Sequence, residues 1–422
     1  MSEGSLALRQ AFEAKVRANR DRLVTLCADL VRIGSENPPG DTGALSEAIA
    51  RLFAACPATE IKRIVARPPV ENLVVRIAGG APGRRLVFNG HLDTFPIGDA
   101  ARWAVPPLGG TVADGRIYGR GAGDMKAGLA ASILAAQLLA ERRKDWCGEI
   151  VLTLVGDEET GGLWGSQHLL AEVSEAKGDA MLSGDAGAPQ VVRIGEKGQI
   201  WVEVVAEGKA NHGAHVHLGI NAIEKLMAAL DGLLDLRRLP CPIPDDVRQV
   251  ILAARPVSEV VSGAGESETL QNVTVNIGRF EGGSAVNIIP DRAKALADIR
   301  FPPGLTLAEI RGAIAARLDG MPGIAWRVLS GCEATVTDPA HEIVRLTAKN
   351  AAAITSGNVV VNMRVGFSDA RFYRLADIPS VVYGPTPHNM GGADEYVTID
   401  DLFAVFYVHA MTGFDFLCEE PS

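Results

Sequence analysis

Two short apolar runs in this chain end abruptly on acid and histidine, and no other feature constrains its fold as much. Arg84–Phe88 (RRLVF) runs into Asn89-Gly90-His91-Leu92-Asp93, and Glu149–Val155 (EIVLTLV) closes on Gly156-Asp157-Glu158-Glu159. Unbroken apolar runs of this length read as strands covered on both faces, the kind found inside an α/β sheet. Between them, the Gly-rich stretch Tyr118–Asp124 precedes an Ala/Leu-rich helix from Ala127 to Glu141. Strands alternating with helices, with polar side chains at the strand ends, indicate an open α/β sheet with a site along one edge. Leu6–Ile33 adds a helix at the N-terminal end, stopped by Asn37-Pro38-Pro39-Gly40.

The rhythm changes in the middle of the chain. Ile200–Val205, a helix over Asn221–Leu236, Gln271–Phe280, Ala293–Phe301, a helix over Thr306–Leu318 and Ile324–Leu329 follow the order βαββαβ. That is the split-βαβ, ferredoxin-like arrangement, and it reads as an inserted domain. The α/β pattern resumes near Pro339, with a helix at Glu342–Thr355 and a strand at Ser380–Tyr383. A chain of 422 residues is long enough for two cores. The expectation is an α/β, mixed-sheet catalytic domain over 1–197 plus 336–422, with 198–335 inserted.

Composition narrows the class. Hydrophobic residues make up 47% and charged residues 22%, the balance of a globular protein. A formal net charge of −10 argues against a nucleic-acid partner. No apolar run approaches a membrane span, and the N-terminus lacks the basic and apolar regions of a secretory signal. The six cysteines are scattered without a CxxC, so no disulfide framework or structural zinc site is expected, and a cytoplasmic address is the default.

The polar strand ends supply His91, Asp93, Asp124, Glu158, Glu159 and Asp185. Taken singly, an acid at a strand end is usually a solvated loop residue or a helix cap. Together, on one edge of one sheet, several carboxylates repel one another unless a divalent cation joins them. One histidine with several carboxylates is a ligand set for zinc or manganese.

The segments GHLDTFP (Gly90–Pro96), GRGAGDMKAG (Gly119–Gly128) and GDEETGGLWGS (Gly156–Ser166) resemble the three metal-site signatures of the M20 metallopeptidase and aminoacylase family. This zinc-peptidase-like family includes succinyl-diaminopimelate desuccinylases, acetylornithine deacetylases and glutamate carboxypeptidases. GKANHGAHVHLGINAI, SAVNIIPDRAKALADIR, FSDARFYRLADIPSVVYGP and DEYVTIDDL follow the same family in order, so the resemblance spans nearly the whole chain. It implies a divalent-metal-dependent hydrolase that cleaves a C–N bond of a small carboxylate-bearing substrate, with one or two ions per chain. His91 would be a ligand, Asp93 would orient its ring, and Asp124 would be the bridging carboxylate. Glu158 would be the general base, with Glu159 and Asp185 as further ligands. A cis peptide is expected at Asp124–Met125. In the inserted domain, which the resemblance makes a lid and dimerisation domain, His212 would stabilise an oxyanion, often across a dimer interface. Asn287 and Arg300 would hold the substrate carboxylate, although an ordinary salt bridge also explains Arg300. A homodimer or larger homo-oligomer through the lid is the family habit.

The chain departs from the family in two places. The last ligand is usually a histidine three residues before the Asp-Glu-Tyr element, and here that position is Gly391; His388 is the candidate replacement. Without it the site would rest on His91 and carboxylates, which suit manganese and favour a single, readily lost ion. The lid carries His215-Val216-His217, three of the eight histidines falling within Asn211–Leu218, and His215 is a candidate for shaping the substrate pocket. These departures keep open an aminohydrolase that releases ammonia from an activated aromatic amine such as 5-nitroanthranilate. A metal-poor binding protein is the reading from another class; retention of Asp124, Glu158 and Glu159 argues against it.

Overall fold

Arg85–His91 and Glu149–Val155 lie parallel and adjacent in the interior of a nine-stranded mixed sheet. Both are buried almost throughout, as their unbroken apolar sequence requires. The computed structural model describes residues 3–355 and 358–418. From one edge the sheet runs Thr59–Arg67, Val70–Ala78, Glu149–Val155, Arg85–His91, Ala180–Ser183, Ser380–Val382, Val191–Glu196 and Thr335–Val336. Val360–Arg364 also pairs with Val191–Glu196, in parallel. Strand directions are mixed: the first two strands form an antiparallel hairpin, while Arg85–His91 is parallel to both neighbours.

The helix Ala127–Glu141 is buried from Ala127 to Ala140 and packs against Ile399–Cys418. Small alanine side chains allow that close approach. Ile399–Cys418 corrects one expectation. With 20 residues and a mean hydropathy of 1.3, it is long and apolar enough to cross a membrane. Asp400, Asp401, His409 and Asp415 break its apolar run in the sequence, which is why it escaped notice. Within the protein 89% of that window is buried. Asp415 on this helix accepts a hydrogen bond from Arg9 Nε at 2.7 Å, so this is a core helix.

The middle of the chain builds a separate antiparallel sheet in the order Thr274–Gly282, Arg292–Phe301, Gly198–Glu207, Ile324–Cys332. The strand that is first in sequence lies between the third and fourth, as a split βαβ requires. Ala222–Leu234 and Leu307–Leu318 share an apolar cluster with this sheet. Two helices in this region had no counterpart in the sequence reading, Asp245–Ser262 and Glu266–Gln271. The first contains Pro256, a residue that normally argues against a helix interior. It reaches over to the main sheet, where Val247 and Ile251 pack with Met363 of Val360–Arg364. Leu6–Ile33 is likewise two helices, Glu3–Arg17 and Arg20–Val31, separated at Asn19.

Candidate metal centre

His91 is the last residue of its strand and pairs in register with Val155, so the turn after Val155 arrives at the same sheet edge. Asp93 clamps that turn. Its Oδ1 accepts the Glu158 amide at 3.2 Å, and its Oδ2 accepts the Glu159 amide at 3.2 Å and Asn37 Nδ2 at 2.8 Å. Asp93 also orients the His91 ring, chiefly through its backbone carbonyl. Nδ1 lies 2.8 Å from the backbone carbonyl of Asp93 and 3.6 Å from its carboxylate Oδ1. The carbonyl therefore accepts the hydrogen bond from Nδ1–H and fixes the ring, while both carboxylate oxygens serve backbone amides. Nε2 then faces Asp124 Oδ1 at 3.0 Å.

Asp124 sits in the irregular turn Ala122–Lys126, and its peptide bond to Met125 is cis, as the resemblance implies. Glu395 supports this turn: its Oε1 accepts the amides of Gly123 at 3.0 Å and Asp124 at 3.3 Å. Its Oε2 is paired at 2.5 Å with Arg120 Nη1, both side chains being 1% exposed. Arg120 also donates to the carbonyls of Gly391 and Gly392. Neither Arg120 nor Glu395 had been given a role, although both lie inside quoted motifs. Nothing in the sequence pairs two residues so far apart. A close backbone contact brings Asp185 beside this turn: a Cβ on Gly128 would lie 2.0 Å from the Gly184 carbonyl oxygen. Glycine at that contact lets the start of the Ala127–Glu141 helix touch the loop that carries Asp185.

His91, Asp124 and Glu159 present ligand atoms that all lie within 4.8 Å of one another. Glu159 Oε1 is buried with no hydrogen-bond partner among the described residues. Burial, reinforced by Asp124 and Asp93 and opposed by His91, pushes the Glu159 carboxyl up to about 8. Glu158 is also raised well above the ordinary range, chiefly by burial, with Asp369 and Asp185 adding to the effect against His91. A buried oxygen without a partner, beside an imidazole and a second carboxylate, is what a divalent cation satisfies. These three residues therefore fit one ion and leave positions open for water and substrate.

Asp185, expected as a ligand, lies beside Asp124 and is also paired with Arg364, whereas His388, the other expected ligand, packs against Tyr396. Asp185 Oδ1 accepts the Ala186 amide at 2.6 Å and Oδ2 accepts Arg364 Nη1 at 2.9 Å. His388 stacks on Tyr396, ring centroids 4.4 Å apart and planes 5° from parallel. Its carbonyl accepts the Tyr396 amide, and this backbone bridge fixes the ring against the tyrosine, outside the ligand cluster. The loop passes close to the site, with Pro387 against Gly123, but His388 is not turned into it.

The cluster opens into a cleft of about 1040 Å³ shared with the second sheet, which contributes Gln199, Trp201 and Arg300. Arg300 fits both readings given to it. Its Nε pairs with Asp298 at 3.2 Å, yet it lines the cleft and its guanidinium lies 4.7 Å from the centre of the Phe367 ring. Arg371 shares Phe367 from the main-sheet side and was not anticipated. His212, His215 and Asn287 do not line this cleft. All three are exposed, on loops that pair His212 with Ile288 and the Gly213 amide with the Asn287 carbonyl. Within one chain these loops are held to each other and away from the cleft, which leaves for His212 the expected route across a dimer interface.

Residues 87–412 match the peptidase family M20/M25/M40. The chain is 31% identical over 397 residues to a succinyl-diaminopimelate desuccinylase of Methylorubrum populi, covering 90% of this chain and 94% of that one. A desuccinylase of Cereibacter sphaeroides is 32% identical over 391 residues, covering 89% and 94%. Among solved structures, an M20 family metallo-carboxypeptidase from Sulfolobus solfataricus superposes with a TM-score of 0.74 at 19% identity, covering 92% of this chain and 98% of that one. A Bacillus subtilis protein described as a dinuclear metal binding peptidase gives 0.67 at 16% identity, covering 95% and 99%. Motif order, overall identity and fold agree: the chain belongs to the M20/M25/M40 peptidase family and is a metal-dependent hydrolase of C–N bonds.

Proposed function

We propose that this protein hydrolyses the amide bond of a small N-acyl amino acid or dipeptide, using a divalent ion held by His91, Asp124 and Glu159. The observation that carries the reading is the partnerless Glu159 Oε1 beside His91 and Asp124, in a cleft that Glu158 and Arg300 also line. When bound, the ion polarises the scissile carbonyl and lowers the pKa of water towards neutrality. One imidazole with two carboxylates suits manganese at least as well as zinc.

Glu158 does the proton transfer. Its carboxylate takes a proton from the attacking water and hands it to the leaving nitrogen, giving an acid and a free amine. Asp93 keeps Glu158 and Glu159 in place through their backbone amides. Arg300 receives the substrate carboxylate, and the flanking Phe367 and Trp201 limit access of water to that end of the cleft.

The same reading includes a homo-oligomer formed through the lid. Val216 is 73% exposed and Val286 fully exposed, on the loops that carry His212 and Asn287. Association through this face would bring those polar residues to a neighbouring copy's cleft. Light scattering on the wild type and Val286→Lys tests it, with a shift towards monomer expected.

The named relatives favour amide hydrolysis over ammonia release from an aromatic amine, and a succinyl amide is the first substrate to try. The test is amine and ammonia release across N-succinyl and N-acetyl amino acids, dipeptides and aminobenzoates, with added Mn²⁺ or Zn²⁺. Metal-dependent amine release is expected. Ammonia from an aminobenzoate with no turnover of any amide would overturn the proposal.

A further inference from the structure

A two-metal hydrolase places its second cation against the acids on the far side of the shared carboxylate, where it holds an oxygen of the reacting group. In this chain Asp185 lies beside the shared carboxylate Asp124, and a positive charge already faces it. Arg364 Nη1 donates to Asp185 Oδ2 at 2.9 Å, and the Ala186 amide fills Oδ1 at 2.6 Å. The side chains are 17% and 6% exposed, so this is a sheltered ion pair.

Arg364 is placed there by the fold. It ends the strand Val360–Arg364, whose register against Val191–Glu196 shifts between Asn362 and Arg364. An irregularity of that kind re-aims the side chain at the end of a strand. The guanidinium consequently lines the same cleft as Asp124, Glu158 and Glu159.

Resting on the metal-centre reading above, we infer that the Arg364 guanidinium is the built-in second cation of this site. The chain then holds one divalent ion, and an arginine takes the anionic oxygen that a second metal would otherwise hold. Two physical points support this. A guanidinium does not deprotonate in a protein, so it cannot give way to an ion by losing its charge. An ion displacing it from Asp185 would remove its hydrogen-bonded partner and set the charge beside a dication in a sheltered cleft, a costly arrangement even with Glu196 and Asp124 near it. His388, the candidate replacement imidazole, is stacked on Tyr396 and is not part of the His91, Asp124 and Glu159 group.

The experiment counts ions in the full chain, independently of turnover. Crystals soaked in MnCl₂ are examined by anomalous diffraction at the manganese edge, alongside Mn²⁺ titration in solution, for wild type, Arg364→Met and Arg364→Lys. Wild type and Arg364→Lys should each show one manganese, at His91, Asp124 and Glu159. Arg364→Met should admit a second one against Asp185 and raise the titrated stoichiometry from one to two. A second manganese on Asp185 in the wild type overturns the inference, as does a folded Arg364→Met that still holds one. If Arg364→Met fails to fold, wild type and Arg364→Lys still decide, since a second ion in either is incompatible with the inference. No manganese at His91 in saturated wild type would instead overturn the metal-centre reading itself.

Discussion

Glu159 and Asp185 are acids on the floor of one cleft, each at the end of an apolar strand, yet their surroundings differ. Glu159 keeps a buried oxygen without a protein partner, while each Asp185 oxygen accepts a hydrogen bond, one from the Ala186 amide and one from Arg364. Burial drives both carboxyls upward; at Asp185 the Arg364 charge opposes that rise, whereas Glu159 has only His91 against several acids. The first half of the cleft therefore needs a cation from outside and the second half carries its own. The partner that a fold sets against an acid decides how strongly that acid calls for a cation.

The largest expected effect falls on the half that needs an ion. Glu158→Gln should lower kcat by ~10²–10⁴-fold, the usual yield of general acid–base catalysis, while fold and metal content persist. Near-normal turnover by the metal-loaded variant would remove Glu158 from its role and leave the cleft without a proton carrier.

Next comes a direct contrast between the halves. His91→Ala should weaken Mn²⁺ binding by more than the ~10–100-fold that loss of an outer-sphere partner costs. His388→Ala should leave both affinity and stoichiometry unchanged, because its ring is committed to Tyr396. Calorimetric titration of the two variants decides; a lost ion in His388→Ala would show that the loop rearranges and that the halves are less distinct than described.

Arg300→Ala should raise KM for carboxylate substrates by ~10- to 150-fold, corresponding to about 1.5–3 kcal/mol for one charge-assisted hydrogen bond. The control is a substrate analogue lacking the carboxylate. An equal loss there means that Arg300 acts only through Asp298 and Phe367, as a structural residue.

The smallest effect is on stability. The Glu159 carboxyl, raised from 4.5 to about 8, keeps a proton in the folded protein that the unfolded chain gives up. Between those values the folded state binds more protons, so this group lowers the stability of the metal-free protein as pH rises from about 4.5 to 8. Below 4.5 both states are protonated and the contribution vanishes. Saturating Mn²⁺ should reverse the trend by favouring the ionised carboxylate. Thermal melts of wild type and Glu159→Gln, with and without Mn²⁺, measure it. Identical pH slopes for the two metal-free proteins would mean that Glu159 is not the buried acid described.

Much of this site was legible because it is encoded locally. Apolar runs ending on His91 and on Glu158-Glu159 must be buried strands, and parallel strands of similar length deliver their ends to one edge whatever surrounds them. The order of the inserted strands was readable for the same reason, since alternation and turn residues mark each one. Where local signals conflict, the reading failed. Pro256 concealed the helix Asp245–Ser262, and the charges in Ile399–Cys418 concealed its overall apolarity.

The sequence by itself determined the mixed α/β class, the split-βαβ insertion and which acids gather at the sheet edge, because strand period and burial are properties of short segments. Only the tertiary structure decided what each acid does there. Asp185 meets Arg364 from 179 residues away, and Arg120 meets Glu395 from 275 away. Asp93 holds two backbone amides as well as the His91 ring, and His388 turns to Tyr396. Hydrogen-bonding capacity is finite, and the packing of distant segments determines which partner fills it first.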